Sequence, residues 1–317
     1  MQNKRRRKIW KKFLCTFIIL FILLNCITYL HAYRFTHFSD PSEPRTSEHI
    51  STFEKIKTLF TGVKNPRPEN RFRPSRPYQI IKIQSNKLLD CWLINADSAK
   101  GTVLLFHGYG GEKSSMLDKA EEFRKMNFNV LLVDFMGAGR SEGAQTTIGF
   151  KEAEEVKDCF AYIQKQGEKN IHLFGTSMGA VAIMKAISDY NIRPKSIMIE
   201  CPFGTMYQTV CARFKLVNAP TFPMAGMLMF WGGLQNGFWA FSHNPIDYAK
   251  NISCPTLLLY GEKDNRVSRE EIDTIFANLK GQKKLVTYPL AGHENYLNKY
   301  KNQWVSDIKC FLSPNQP

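Results

Sequence analysis

The sequence predicts an α/β fold, in which a mostly parallel sheet is covered by helices on both faces. Two observations lead to this prediction. Short, nearly continuous Val/Ile/Leu runs recur along the chain, and segments with helical periodicity separate them. Strands that alternate with helices in this way pair in parallel. A chain of 317 residues, 44% of them hydrophobic, can also bury the large core that such a fold needs.

The alternation starts at Tyr78 with two runs, 78–84 and 88–94, that flank Ser85-Asn86-Lys87 and predict a β-hairpin at one edge of the sheet. Further strands are predicted at 102–106, 129–135, 171–174, 196–200, 255–261 and 284–289, with helices near 115–126, 150–166, from about 178, and near 268–280. Reactive residues in such sheets gather where strands end and loops begin. These strand ends are therefore the places to look for chemistry.

A membrane anchor is predicted before the sheet. Residues 13–30 carry no charge, and only Thr16, Asn25 and Thr28 among them are clearly polar. A helix of this length crosses the roughly 30 Å of a bilayer core. Seven Lys or Arg in residues 1–12 predict, by the positive-inside rule, a cytoplasmic N-terminus and a catalytic domain outside the cytoplasm. A cleaved export signal is the alternative, although no small-residue cleavage site follows the apolar run.

The rest of the chain divides by composition. Residues 31–77 mix Pro, Ser, Thr and charge and predict a tether, with a possible short helix at 49–60. Residues 78–317 form the predicted domain, with a cap inserted at about 203–250. The formal charge of +15 is concentrated before this domain, within 4–12 and 64–77. We therefore expect the membrane, bound through the N-terminal helix, and a small-molecule or lipid substrate as partners, and no nucleic acid.

A serine between two glycines, in "GTSMG" at 175–179, follows the apolar run "IHLF". A tight turn from strand to helix holds one side chain clear of the surface, and flanking glycines relieve the crowding there. The motif predicts that Ser177 is a nucleophile. An ordinary glycine-rich turn is the alternative interpretation.

A serine nucleophile needs a base, and the base needs a third group to orient it. Asp264 follows the predicted strand 255–261, and His293 follows the next strand, so the chain order is Ser, acid, His. Asp264 could instead cap the helix that starts near Ser268. Glu200, at the end of another strand, is a rival acid.

The stretch "HGYGG" at 107–111 ends a strand and has glycines that allow backbone amides to approach a ligand. We expect the amides of Tyr109 and Met178 to bind the oxyanion of an acyl-transfer reaction. His107 is expected to support this loop, while His172 begins its strand and so lies at the wrong end of the sheet.

Together these motifs resemble the α/β-hydrolase superfamily over about residues 78–312. "HGYGG" is similar to its oxyanion loop, "GTSMG" to its nucleophile elbow, "GEKD" to its acid turn and "AGHE" to its histidine loop. "DFMGAGRSEG" at 134–143 is similar to a stretch common in serine esterases, lysophospholipase-like proteins and related peptidases, but has Met136 where Arg is frequent and Ala138 where His is frequent. The resemblance implies a serine hydrolase that forms an acyl-enzyme without metal or cofactor.

The predicted cap contains an apolar stretch, residues 216–241, without any formal charge. It cannot cross the membrane, because Ser177 and Asp264 would then lie on opposite sides of the bilayer. Two interpretations stay open: a lid over the pocket that touches the bilayer surface, or an apolar segment packed on the body.

Eight single cysteines show no metal-binding spacing, and no disulfide pairing can be inferred from them. The expected function is hydrolysis of ester, thioester or amide bonds, esterase-like or lipase-like on apolar acyl substrates. A dipeptidyl-type or aminopeptidase activity and a non-catalytic binding role are the alternatives.

Overall fold

The computed structural model describes residues 2–40, 57–58 and 60–313, and the side chains from residue 5 onward. Its strands are β1 (Gln79–Gln84), β2 (Leu88–Ile94), β3 (Thr102–Phe106), β4 (Asn129–Val133), β5 (Ile171–Thr176), β6 (Ser196–Glu200), β7 (Thr256–Gly261) and β8 (Lys283–Tyr288). Within the described residues these eight strands form one sheet in the order β1-β2-β4-β3-β5-β6-β7-β8. β2 pairs antiparallel with β1 and with β4, and the remaining pairs are parallel. The predicted fold class is confirmed.

The helices are α1 (Gln2–Thr36), α2 (Leu117–Lys125), α3 (Glu152–Lys165), α4 (Met178–Tyr190), α5 (Met206–Leu216), α6 (Met224–Asn236), α7 (Pro245–Ala249), α8 (Arg269–Asn278), α9 (Tyr296–Lys299) and α10 (Lys301–Leu312). Short 3₁₀ turns lie at Lys113–Met116 and Ala240–Ser242. α3, α4 and α8 contribute to the core on one face of the sheet, and α2 and α10 to the core on the other.

The central strands are buried on both faces, which explains their continuous apolar sequences. All five residues of β3 are buried. Leu104 and Phe106 belong to one core cluster, while Val103 and Leu105 belong to the other, because successive side chains of a strand point to opposite faces. The carboxyl ends of the parallel strands therefore meet at one rim of a rigid sheet.

α1 is a single helix that continues to Thr36, beyond the predicted anchor at 13–30. Among the described residues it is the one helix with the length and apolar composition to cross a membrane, properties that a signal sequence shares. Its apolar side chains up to Leu23 are exposed, whereas Thr28 and Ala32 are buried. The last three turns of α1 therefore pack on the body of the protein.

The segment predicted as a tether packs on the sheet domain where it is described. The Arg67 guanidinium donates hydrogen bonds to the carbonyls of Gly139, Ser141 and Gly143. Asn70 donates to the carboxylate of Asp134. A hydrophobic pattern could not predict this packing, because backbone carbonyls are the acceptors. The predicted short helix at 49–60 lies mostly outside the described residues.

The predicted cap lies between β6 and β7, and α5, α6 and α7 form it. The Thr205 side chain caps α5 by accepting from the amide of Gln208. α6 ends at Gly237, which has a left-handed conformation with φ +65°. The cap helix α6 packs along α1. The other long cap helix, α5, is separated from the end of β6 by five residues.

Candidate active site

Ser177 lies between the last residue of β5 and the first residue of α4. Its φ of 52° and ψ of −111° place a non-glycine residue in an unfavourable part of backbone space. Two hydrogen bonds hold this conformation: the Ser177 amide donates to the Glu200 carbonyl at 2.8 Å, and the Val181 amide donates to the Ser177 carbonyl at 3.0 Å. The strained turn points the hydroxyl out of the sheet, as "GTSMG" predicts.

The two glycines of this motif are required by close backbone contacts. A Cβ on Gly175 would lie 2.5 Å from the carbonyl carbon of Gly179. A Cβ on Gly179 would lie 2.3 Å from the carbonyl oxygen of Phe106. No side chain fits at either place, so α4 can start directly against β3 and β5 only with glycine at both positions.

The structure brings Ser177, His293 and Asp264 together. His293 Nε2 lies 3.1 Å from Ser177 Oγ, and His293 Nδ1 lies 2.7 Å from Asp264 Oδ2. The Asp264 side chain is fully buried and the His293 side chain is 13% exposed. Asp264 Oδ1 also accepts from the amides of Arg266 and Val267, which fixes the carboxylate. Each residue follows a parallel strand, so the sheet supplies the geometry.

Glu200, the rival acid, lies elsewhere. Its buried carboxylate accepts hydrogen bonds from Trp304 Nε1 at 2.8 Å and from the Thr176 hydroxyl at 2.9 Å. The ammonium of Lys119 lies 3.8 Å away. Glu200 therefore supports the sheet below the nucleophile, and it is Asp264 that contacts the imidazole.

The loop after β3 lies against Ser177. A Cβ on Gly108 would be 3.6 Å from Cβ of Ser177 and 3.3 Å from the carbonyl oxygen of Thr176. The next residue is Tyr109, whose backbone amide is one of the two expected oxyanion donors. The other expected donor is the amide of Met178, the first residue of α4, and an amide at this position has no partner within the helix. Both backbone positions therefore adjoin Ser177.

The other histidines near the sheet are structural. His107 Nε2 accepts from the amide of Phe135 at 3.1 Å, so Nδ1 carries the proton and donates to the carbonyl of Gly108. Burial lowers the pKa of His107, which keeps the ring neutral. His172 hydrogen-bonds Ser196 at the start of β6, which is at the amino ends of the strands and therefore far from Ser177. Both placements agree with the sequence interpretation.

The side chain of Tyr109 connects the oxyanion loop to α1. Its hydroxyl donates to the carbonyl of Phe35 and accepts from Asn65 Nδ2, both at 2.7 Å. The rings of Tyr109 and Phe35 stack with centroids 4.9 Å apart. The guanidinium of Arg213, from α5, lies 5.6 Å from the Phe35 ring and 5.8 Å from the Tyr109 ring. The sequence gives no signal for this cluster, which joins four distant segments.

Cys201 is a site residue that the motifs do not reveal. It follows β6, is buried and has a φ of 40°. Its sulfur and the ligand atoms of Asp264 and His293 all lie within 4.8 Å of one another. Such a group could hold a metal ion, but the Asp264 and His293 atoms concerned already hydrogen-bond each other. Burial lowers the pKa of His293, but Cys201 and Asp264 outweigh this lowering and raise the pKa to about 10.

Two cavities lie outside the three residues of the site. A polar groove of about 910 Å³ runs between residues 66–72 and the loop 110–118, and Asn295 contributes to its wall near His293. A smaller apolar cavity of about 40 Å³ lies between α1, α5, α6 and residues 147–148. The groove is lined mostly by polar residues, and the small cavity is lined almost entirely by apolar ones.

The family described as serine aminopeptidase, S33, matches residues 97–246. The structure of the Pyrococcus furiosus esterase Pf2001 superimposes with a TM-score of 0.66, at 24% identity over 78% of this chain and 96% of that one. The strand order of the sheet and the strained turn at Ser177 in this chain are those of the α/β-hydrolase fold. This chain has the α/β-hydrolase fold.

Curated relatives cover about two thirds of the chain. The Bacillus subtilis protein YqkD is 22% identical over 67% of this chain and 70% of its own length. Lysophosphatidylserine lipase ABHD12 of Danio rerio is 24% identical over 66% of this chain, but over only 52% of its own length. Est1E of Butyrivibrio proteoclasticus, solved with ferulic acid, superimposes with a TM-score of 0.58 at 17% identity over 73% of this chain and 98% of that one.

Proposed function

We propose that this α/β-hydrolase is a serine hydrolase that cleaves acyl bonds through a covalent acyl-enzyme. The observation that carries the proposal is the continuous hydrogen-bonded series from Ser177 through His293 to Asp264. Each donor in the series faces an acceptor, and the nucleophile is held in a strained, partly exposed turn. A binding protein would have no need for this arrangement.

In the first step, Ser177 Oγ attacks the substrate carbonyl carbon while its proton moves to His293 Nε2. Asp264 accepts the hydrogen bond from Nδ1 and stabilises the imidazolium that forms. The amides of Tyr109 and Met178 stabilise the oxyanion of the tetrahedral intermediate. His293 then protonates the leaving group, and water, activated by the same ring, hydrolyses the acyl-enzyme.

Apolar acyl esters are the proposed substrates. The support is the apolar cap: its helix α6 contains no charged residue, and the apolar cavity that it lines also touches α1. The relatives named as esterases and lysophosphatidylserine lipase agree in chemistry. A peptidase acting at amide bonds is the second candidate, because the family that matches residues 97–246 is described as serine aminopeptidase.

A fluorophosphonate probe tests the mechanism on the full-length protein. We expect labelling of the wild type and none of Ser177→Ala, with equal thermal stability of the two. Labelling that survives the substitution would identify a different nucleophile. No labelling of the folded wild type would favour the binding role.

A series of p-nitrophenyl esters, compared with aminoacyl nitroanilides, tests the substrate class. We expect kcat/KM to rise with acyl chain length and to be low for every nitroanilide. A clear preference for nitroanilides would overturn the esterase proposal in favour of the peptidase.

We also propose that α1 is an uncleaved single-pass anchor with a cytoplasmic N-terminus. The support is its length, its exposed apolar surface and the basic residues at its N-terminal end. We expect activity from a reporter that works only outside the cytoplasm when it is fused after Pro317, because the domain that follows the anchor would then lie outside. Release of the protein from membranes with a shortened N-terminus would instead indicate a cleaved signal.

A further inference from the structure

The cap helix α6 contacts the proposed anchor helix directly. Trp231 Nε1 donates to Asn25 Oδ1 at 3.1 Å, and Gln235 Nε2 donates to the carbonyl of Tyr29 at 2.8 Å. The rings of Tyr29 and Trp231 meet edge to face, with centroids 5.3 Å apart. The cap and the anchor therefore share one polar and aromatic interface.

Small residues let the two helices approach closely. Thr28 and Ala32, one turn apart on α1, are both 1% exposed. A Cβ on Gly232 of α6 would lie 3.9 Å from Cβ of Ala32. Close approach at Gly and Ala is how helices pack against each other in membranes, where apolar surfaces alone give no driving force.

The interface falls within the predicted membrane span. Asn25 and Thr28 are two of the three clearly polar residues in 13–30. Asn25 accepts from Trp231, and the Thr28 hydroxyl donates to the carbonyl of Leu24. Asn25 lies five residues before Leu30, the end of the apolar run, which corresponds to about 8 Å along a helix. Trp231 thus reaches a depth typical of interfacial helices, about 5–10 Å.

The outward surface of the cap is apolar. Its exposed large apolar side chains are Leu216, Val217, Phe222, Phe230, Leu234, Trp239 and Phe241. Phe230 and Leu234 lie one turn apart on α6, and residues 216–241 carry no formal charge. An apolar surface of this kind is unfavourable in water. Phe230 and Leu234 of this surface belong to α6, the helix that packs on α1, and the exposed surface of α1 is also apolar.

We propose that α6 and its flanking aromatic residues are seated in the outer leaflet of the bilayer beside α1, and that acyl substrates enter the site from the lipid. This inference rests on the proposed function. It explains why Asn25 occurs in the anchor, since Trp231 of the cap is its partner at that depth. It also chooses between the two interpretations of the cap that the sequence leaves open.

The apolar cavity of about 40 Å³ between α1 and the cap marks where the proposed path would open, because an acyl chain needs more room than this. Ala32 and Phe35 line it from α1, and Met229 from α6, while Ile148 closes it towards the sheet. The loop that carries Ile148 rests on the first turn of α4, because a Cβ on the following Gly149 would lie 3.0 Å from the carbonyl of Met178. The cavity therefore lies between the lipid-facing helices and the loop that rests on α4, the helix that follows Ser177.

Spin labelling of the full-length protein in phosphatidylcholine/phosphatidylglycerol vesicles tests the seating. The exposed cysteines Cys15, Cys26 and Cys310 are first replaced by alanine. A nitroxide is then attached to Leu234→Cys, with Ile80→Cys as the control. Ile80 is similarly exposed, at 53% against 61% for Leu234, but lies on the edge strand β1.

We expect the label at 234 to collide readily with oxygen and rarely with a water-soluble nickel chelate, and the label at 80 to show the reverse. Nickel accessibility at 234 equal to that at 80 would overturn the proposal. Protection of 234 from both reagents would also overturn it, because a protein partner, such as a second copy of the chain, would then cover the cap.

Activity measurements separate this inference from the proposed function. Leu234→Glu should lower the hydrolysis of a long-chain monoacyl ester dissolved in vesicles by about tenfold, because a carboxylate is costly in the bilayer. Ile80→Glu should leave it unchanged. Both variants should hydrolyse soluble p-nitrophenyl acetate at the wild-type rate. If Leu234→Glu and the wild type hydrolyse the vesicle-bound ester equally, and both keep their activity on the soluble ester, lipid entry alone is overturned. If the wild type shows no Ser177-dependent hydrolysis of the soluble ester, the proposed function is overturned.

Discussion

The carboxylate of Asp264 lies 2.7 Å from Nδ1 of His293, while the other nitrogen of the ring faces Ser177 at 3.1 Å. An acid in this place fixes the tautomer in which Nε2 can accept the serine proton. We therefore expect Asp264→Asn to lower kcat by about 10⁴ without loss of stability. Steady-state hydrolysis of p-nitrophenyl acetate and thermal unfolding measure the two quantities.

Glu200→Gln is the matched control for this prediction. Glu200 accepts from Trp304 and Thr176 inside the protein and does not contact His293. Its substitution should lower the free energy of unfolding by about 1–3 kcal/mol and change kcat much less than Asp264→Asn does. The opposite pattern, with activity lost in Glu200→Gln and kept in Asp264→Asn, would assign the acid role to Glu200.

The glycine of the nucleophile turn gives a second prediction. In Gly179→Ala the added methyl group would lie 2.3 Å from the Phe106 carbonyl oxygen, so α4 must move away from β3. We expect destabilisation by at least about 3 kcal/mol, or failure to fold, because backbone atoms cannot yield as side chains do. Denaturant unfolding of the purified variant measures this cost.

Gly226→Ala is the control. Gly226 lies in the first turn of α6, and nothing lies within 4 Å of a Cβ placed there. Because alanine favours a helix over glycine, this substitution should stabilise the protein by about 0.5–1 kcal/mol. Equal effects of the two alanines would mean that the close approach at Gly179 does not exist in solution.

The sheet and the three residues at its rim could be predicted from the sequence because each depends on local patterns. Fully buried strands such as β3 and β6 give continuous apolar runs, so their bounds are predicted to the residue. Ser177, Asp264 and His293 follow strands in a fixed chain order, and parallel strands bring such ends together. The two glycines around Ser177 mark the strained turn between them.

The contacts of α1 and of Cys201 could not be predicted in this way. Phe35 stacks on Tyr109, 74 residues further along the chain, and no periodicity links them. Arg67 bonds backbone carbonyls, which every sequence offers equally. Cys201 is one apolar residue after an apolar strand, and only the assembled rim places it beside His293. These features depend on tertiary packing of distant segments.

The link between α1 and the oxyanion loop gives a third prediction. Tyr109→Phe removes the hydroxyl that binds the Phe35 carbonyl and Asn65, but keeps the backbone amide. Because the loop then loses part of its support, we expect kcat to fall by about tenfold with little change in KM. Asn65→Ala should have a smaller effect in the same direction. Tyr190→Phe, at an exposed tyrosine of α4, should leave kcat unchanged. A lower melting temperature of Tyr109→Phe with unchanged kcat would limit this contact to a structural role.

Cys201 is expected to shift the pH dependence of the reaction. The base acts only when the imidazole is neutral, so kcat/KM rises with pH through the pKa of His293. Burial lowers that pKa, but Cys201 and Asp264 raise it to about 10, which moves the rising limb of the profile to alkaline pH. Cys201→Ser removes the sulfur while Asp264 stays in place. The pKa should therefore fall, and the rising limb should move to lower pH.

The pH profile of kcat/KM for p-nitrophenyl acetate measures this shift, with Cys254→Ser as the control. Cys254 precedes β7 at the far end of that strand from Asp264, so its removal should leave the limb where it is. A merely structural role for Cys201 would lower stability without moving the limb. Coincident limbs for wild type and Cys201→Ser would therefore show that the sulfur does not tune the base, and that Asp264 alone raises the pKa of His293.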